Sequence, residues 1–406
     1  MPRRRLPVAL LVAVTATSLR AQPAPARQTQ ADDYTRYELL APGSARFRIL
    51  YDVSATTPGS THFFNVIRAG SVATDERVTD LATGQPLPWE VVGGTVARAG
   101  GVVGADSGTS YIRVTLRRPV PADGGEARLR IDKTYLDARS YYQRGDTLVF
   151  DRSLSIKRNA VVLPTGYELV SSNVPAQLLQ EADGRVTVSF WNATPTAMPV
   201  LLRAVPLRTP AAIPARSAVQ PRLDERARQT REIVYFLRDP ATHAFDLYHD
   251  YTEERAGVDH YLNVVRGGST VSNPAGRNLD TGEPLRHEVL RGEAITRAGL
   301  AVSNVTPATE VVVFRFPAVP PGGSVRLRMA ETYTDSVRYR LAGDELVWDR
   351  AFGRPANAVV LPAGWTLTNS SIPATVSTLP DGRVRLDFVN ARPDEIATLI
   401  TARRRR

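Results

Sequence analysis

The chain has no cysteine among its 406 residues, so no disulfide can stabilise it and no lipidated cysteine can tether it. It must fold on core burial alone, which units of this length can do. Lysine occurs only at Lys133 and Lys157, and arginine supplies nearly all the positive charge. Histidine occurs five times, four of them after residue 240. No Gly-x-Ser-x-Gly elbow and no Gly-rich loop ending in Lys-Ser/Thr is present, which removes the common serine-hydrolase and phosphate-loop readings. The formal charge of +10 is spread among acidic neighbours, with no basic block interleaved with aromatics, so nucleic-acid binding is not expected. No cofactor motif is present and no cofactor is expected.

Long apolar runs are also missing. The longest opens the chain: a basic Met1–Arg5, then Leu6–Ala16, too short to span a bilayer but suited to the apolar core of a secretory signal. Residues 1–21 are therefore expected to be a signal peptide and 22–33 a disordered lead-in. Losing Arg3, Arg4, Arg5 and Arg20 would leave a charge of about +6. The expected location is secreted or periplasmic, in a bacterial envelope.

What the chain does have is a copy of itself. Shifted by 198 positions, "FFNVIRAGS" from Phe63 falls on "YLNVVRGGS" from Tyr261. "TYLDARSYYQRGDTLVFDR" from Thr134 falls on "TYTDSVRYRLAGDELVWDR" from Thr332. "NAVVLP" recurs at Asn159 and Asn357. The offset slips by one near Arg98 and Arg297, then recovers. Such self-similarity signals duplicated units. The expected boundaries are repeat 1 at 34–205, a Pro/Ala-rich linker at 206–231, repeat 2 at 232–402 and a basic tail at 403–406. The charged end of the linker, Leu223–Arg231, suits a short helix.

Within each unit the apolar period is two. Leu129 and Ile131 alternate with charged residues, as do Leu327 and Met329, and Val186, Val188 and Phe190 share one face. Asp183-Gly184 and Asp381-Gly382 suit tight hairpins. Val161–Leu163 and Val359–Leu361 are continuous apolar runs, as in strands buried on both faces. Asn159 and Asn357 are placed to bond the turns that enter them. The expected fold class is all-β: two tandem antiparallel β-sandwich domains from an internal duplication.

The succession "ARFRILYDV", "TGQPLPWEV" and "PADGGEARLRIDKTY" resembles the N-terminal β-domain of secreted zinc aminopeptidases of the glycyl type. In that family this domain is an accessory to a separate helical catalytic domain. The resemblance implies a fold and no peptidase activity. The nearest approach to a zinc helix, His287-Glu288-Val289-Leu290-Arg291, ends on arginine, which cannot coordinate zinc, and it aligns with a strand in repeat 1.

The candidate ligand-binding residues are those both copies carry: Asp151, Arg152 and Tyr141, matched by Asp349, Arg350 and Tyr339. Asp137, Asp146 and Asp151 could in principle gather a calcium ion, but a dedicated loop would concentrate its oxygens within a few residues and these are scattered along the chain. His249 and His260, on either side of a hairpin, are the candidate metal ligands. Trp89, Trp191, Trp348 and Trp365 are expected mainly in cores, since Phe150 and Tyr167 replace two of them. These features lead to a non-catalytic binder of an envelope protein or glycan. The alternatives are a hydrolase with its site in the interdomain cleft and a structural envelope component.

Overall fold

A computed structural model describes residues 26–208 and 223–405. The expected signal peptide and the front of the linker lie outside these residues. Both repeats are built from three sheets. In repeat 1 a seven-stranded sheet runs Gln177–Gln180, Val186–Trp191, Arg158–Val162, Gln30–Leu39, Arg46–Ala55, Ala127–Leu136 and Val72–Asp80. A four-stranded sheet, Tyr167–Ser172, Met198–Pro206, Thr147–Leu154 and Tyr141–Arg144, and a three-stranded sheet, His62–Val66, Ser110–Thr115 and Trp89–Gly93, complete the unit. Repeat 2 has the same three sheets in the same neighbour order. The first strand begins at Gln30, inside the stretch expected to be disordered, and the last, Ile396–Arg404, takes in two arginines of the expected tail.

Nearly every strand pairing is antiparallel. In each repeat the NAVVLP strand is the exception, lying parallel to the first strand, with Tyr37 opposite Val161 and Tyr235 opposite Val359. Arg158–Val162 is buried at every position, as a strand inside a covered sheet should be. Asn159 Nδ2 donates to the Ile156 carbonyl and Asn357 Nδ2 to that of Arg354, both at 2.7 Å, which closes the entering turn. The slip in the repeat begins at the short helix of each unit, Gly94–Ala99 and Glu293–Arg297, carries into the next strand, where Ser110–Thr115 corresponds to Glu310–Arg315, and is recovered by Ala127 and Val325. His287 and Glu288 lie on the strand Arg286–Arg291.

Each core is filled from the facing sheets. Tyr37, Phe47, Tyr135, Tyr141 and Phe150 cluster in repeat 1; Tyr235, Phe245, Tyr333, Tyr339 and Trp348 take the same places in repeat 2. Trp348 and Trp365 are buried, whereas Trp89 is 37% exposed, so that one tryptophan is not core.

The repeats pack through the same elements used reciprocally. Glu126 N donates to Leu279 O at 2.8 Å, and Ser324 Oγ, at the position equivalent to Glu126, donates to Leu81 O at 2.7 Å. A side chain at Gly84 would strike the Gly322 carbonyl, and one at Gly323 that of Ala82. Exchange of equivalent contacts is the mark of a two-fold interface. The symmetry is not complete: Arg128 makes a buried bidentate pair with Asp280, at 2.6 and 2.8 Å, where the equivalent of Asp280 is Ala82, and Arg277 reaches the Ala122 and Asp123 carbonyls where its equivalent is Thr79.

Leu223–Arg231 forms a turn and no helix. Its polar groups are spent on the repeats instead. Glu225 accepts from Tyr34 and Ser189, Arg226 reaches the carbonyls of Gly353 and Asn390, and the Gln229 and Thr230 carbonyls accept from Arg158 and Arg326.

Candidate functional site

The arginines shared by both repeats have the same environment. Period-two alternation turns Arg152 inward and Asp151 outward on one strand, so the sequence neighbours do not pair. Arg152 bonds Asp137 at 3.1 Å, and Arg350 bonds Asp335 at 3.2 Å. Each guanidinium lies over the aromatic cluster, with Arg350 within 6 Å of the Tyr235, Phe245, Tyr333 and Trp348 rings. Tyr141 and Tyr339 are fully buried, and their hydroxyls donate to the Leu40 and Arg238 carbonyls. Asp349, like Asp151, is exposed.

The structure does not bring the two candidate metal ligands together. His249 and His260 lie in different sheets. His260 bonds Asp259 at 2.7 Å near the surface, and its neighbour Tyr261 turns inward to meet His249 Nδ1 at 3.3 Å. A hairpin between the two segments was expected to pair them; Ala244–Glu253 pairs instead with Val325–Thr334, and His260–Val264 with Glu310–Arg315. Among the described residues no cluster of three His, Asp or Glu side chains could hold a metal ion.

His249 belongs to a different constellation. In repeat 2 a cavity of ≈ 220 Å³ lies over the seven-stranded sheet, beneath residues from the other two sheets. Leu247 and His249, then Met329, Glu331 and Tyr333, line it from adjacent strands, because residues two apart share a face. Arg350, Arg354 and Asn357 line it as well, and the exposed side chains of Val264 and Glu395 mark its open end beside Arg266. Its volume exceeds that needed for one water molecule many times over.

The cavity wall carries polar atoms that lack partners. His249 Nε2, Glu331 Oε1, Arg350 Nε and Asn357 Oδ1 are all buried and unbonded. Buried polar groups are ordinarily paired, so four such atoms on residues lining one space need an explanation, although the Asn357 oxygen has an unbonded equivalent in repeat 1, Asn159 Oδ1. Burial, with Arg354, Arg231 and Arg326 nearby, holds the His249 imidazole well below its usual pKa and hence uncharged. Burial pushes the Glu331 carboxyl up to about 7, against the hydrogen bond it accepts from Asn263 at 2.6 Å. Arg266 is paired with Glu395 at 3.0 Å. Arg354, half-buried, lines the cavity, and its guanidinium has no hydrogen bond or ion pair among the described residues.

Of the residues singled out by sequence, Arg350 and His249 reach this cavity; Asp349, Tyr339 and His260 do not line it. Glu331, Arg354, Asn263 and Asn357 were missed as site residues. A signal for Glu331 and His249 was present: each interrupts an apolar face, Leu327-Met329-Glu331-Tyr333 and Phe245-Leu247-His249-Tyr251 read at every second residue.

No protein-family model matches the chain, and no curated protein does. Among solved structures, a two-domain M1 zinc metallopeptidase variant bound to L-tryptophan is similar at 14% identity, over 46% of this chain and 44% of that one, with a TM-score of 0.28. The M1 zinc metallopeptidase of Deinococcus radiodurans matches at 14% identity over 45% and 44%, with a TM-score of 0.28. An aminopeptidase N family protein from Idiomarina loihiensis matches at 8% identity over 42% and 29%, with a TM-score of 0.25. Two of these are M1 zinc metallopeptidases and one is an aminopeptidase N family protein, in keeping with the weak resemblance read from the sequence. The chain spans less than half the length of each, and similarity at this level carries no argument about activity.

Proposed function

We propose that this is a secreted or periplasmic, non-catalytic binding protein that holds an envelope protein or glycan through repeat 2. One observation carries the reading: repeat 2 surrounds a cavity with buried, unbonded polar atoms, and a bound molecule would complete those bonds. Repeat 1 serves as its rigid partner, since the buried Arg128–Asp280 pair and the reciprocal backbone bonds tie the units together. The test is retention of envelope protein or glycan by the full chain. It is compared with a chain carrying His249→Tyr and Arg354→Ile, the residues that repeat 1 has at those positions. Material held by the first and released by the second is expected. No retention, or equal retention by both, sinks the reading.

A hydrolase has one observation in its favour. Glu331, with its pKa pushed up to about 7, can give or take a proton near neutrality, with His249 in the same cavity. On this reading the chemistry sits inside repeat 2. Hydrolase activity of the full chain that disappears in Glu331→Gln would replace the binding proposal.

A further inference from the structure

The chemistry of the cavity specifies its ligand further, on the reading that repeat 2 is the half that holds one. Two of its three arginines are already answered, Arg266 by Glu395 and Arg350 by Asp335. Arg354 is not, and repeat 1 has Ile156 at the equivalent position. A planar, unpaired guanidinium on a residue lining a half-enclosed space is complementary to a carboxylate, which it can grip with two parallel bonds. The other unbonded atoms are uncharged or partly bonded: an imidazole nitrogen, an amide oxygen, one oxygen of a carboxyl and one guanidinium N–H. They suit hydroxyl or amide groups, and at ≈ 220 Å³ the space suits a small molecule or one terminal residue of a longer one.

We propose that the repeat-2 cavity binds a small monocarboxylate bearing hydroxyl or amide groups, with Arg354 gripping the carboxylate and His249, Glu331 and Asn357 bonding the uncharged end. Two sources share this chemistry, an acidic sugar and the C-terminal end of a peptide.

The experiment is calorimetric titration of the full chain with D-glucuronate and with N-acetyl-L-alanine. Their neutral counterparts are D-glucose and N-acetyl-L-alaninamide. One carboxylate is expected to saturate a single site, with its neutral counterpart about tenfold weaker or more, the scale of a hydrogen bond to a charged group. Preference for glucuronate assigns the acidic-sugar source, and preference for N-acetylalanine the peptide end. Arg354→Ile, which places repeat 1's residue in the same fold, should weaken the preferred carboxylate by a similar factor and leave thermal unfolding in place. The proposal falls if neither carboxylate binds, if each binds no better than its neutral counterpart, or if Arg354→Ile binds as well as the wild type. The binding reading fails separately. Envelope retention that depends on the cavity, without carboxylate preference, sinks only the ligand class; carboxylate binding without envelope retention sinks only the envelope partner.

Discussion

At one position the two repeats chose opposite charges and reached the same pKa. Lys133 and Glu331 are equivalent, both buried on the inner face of the long sheet. Burial lowers the lysine to about 7 and raises the glutamate to about 7, because a low-dielectric interior disfavours whichever form is charged. The asparagine beside them serves both. Asn65 accepts from Lys133 through Oδ1, at 2.5 Å, and Asn263 donates to Glu331 through Nδ2, at 2.6 Å. An amide carries a donor and an acceptor, so one scaffold residue satisfies either charge by turning over. Around Lys133 the sandwich also offers the Tyr135 ring at 4.9 Å and has Tyr51 in place of His249. The fold tolerates a polar group here; its neighbours decide whether that group faces a cavity lined with unbonded atoms.

The comparison can be broken hardest where the repeats touch. Asp280→Ala gives repeat 2 the alanine that repeat 1 carries and leaves Arg128 buried without its carboxylate. Denaturant unfolding should show a loss of about 3–5 kcal/mol. A loss under about 1 kcal/mol would mean that Ser324, which also accepts from Arg128, suffices. Next comes the aromatic exchange in the cores. Phe150→Trp installs repeat 2's residue in repeat 1 and should cost about 1–3 kcal/mol by overpacking, because each core is fitted around its own ring. No change in the denaturation midpoint would show the two cores to be interchangeable. The hairpin turns should respond alike. Gly184 and Gly382 have φ of +84° and +81°, so alanine at either should cost about 1–2 kcal/mol, and unequal losses would show that the turns are not equivalent in function.

The last effect is graded with pH, and its size within any one pH unit is small. Glu331 keeps its proton in the folded state up to about pH 7, whereas the unfolded carboxyl releases it near its ordinary value. Its contribution is therefore full below that ordinary value and is lost as pH rises through about 7. Lys133 runs the other way: stability is gained as pH rises above about 7 toward the ordinary lysine value and lost as pH falls through about 7. Each slope is at most about 1.4 kcal/mol per pH unit. Thermal unfolding across pH 5–9 should lose its acid-side slope in Glu331→Gln and its alkaline-side slope in Lys133→Met. An unchanged profile in both would mean that neither group is held as described.

Much of the architecture could be read directly from the letters. The 198-residue offset, the alternation around Leu129 and Leu327, and the Asp-Gly turns all correspond to observed strands and hairpins. The continuous apolar run after Asn159 was legible as a doubly covered strand, though not as the parallel one. The candidate site was legible only in part. His249 and Arg350 stood out by residue type. Glu331 showed only as an interruption of the apolar face of its strand, and Arg354 lay in a loop shared with a proline and a glycine. His249 and His260 do not meet because their strands belong to different sheets, and alternation along the second strand turns Tyr261 inward in place of His260.

The sequence by itself determined the duplication, the all-β class and the faces of most strands, because side-chain direction alternates locally and hairpin turns depend on a few adjacent residues. The tertiary structure decided that Arg152 and Arg350 answer to Asp137 and Asp335, that Asp280 crosses to the other repeat, and that four unbonded polar atoms surround one cavity. Each of these joins residues from different strands or different repeats. Such meetings depend on sheet order and packing, which local periodicity does not encode.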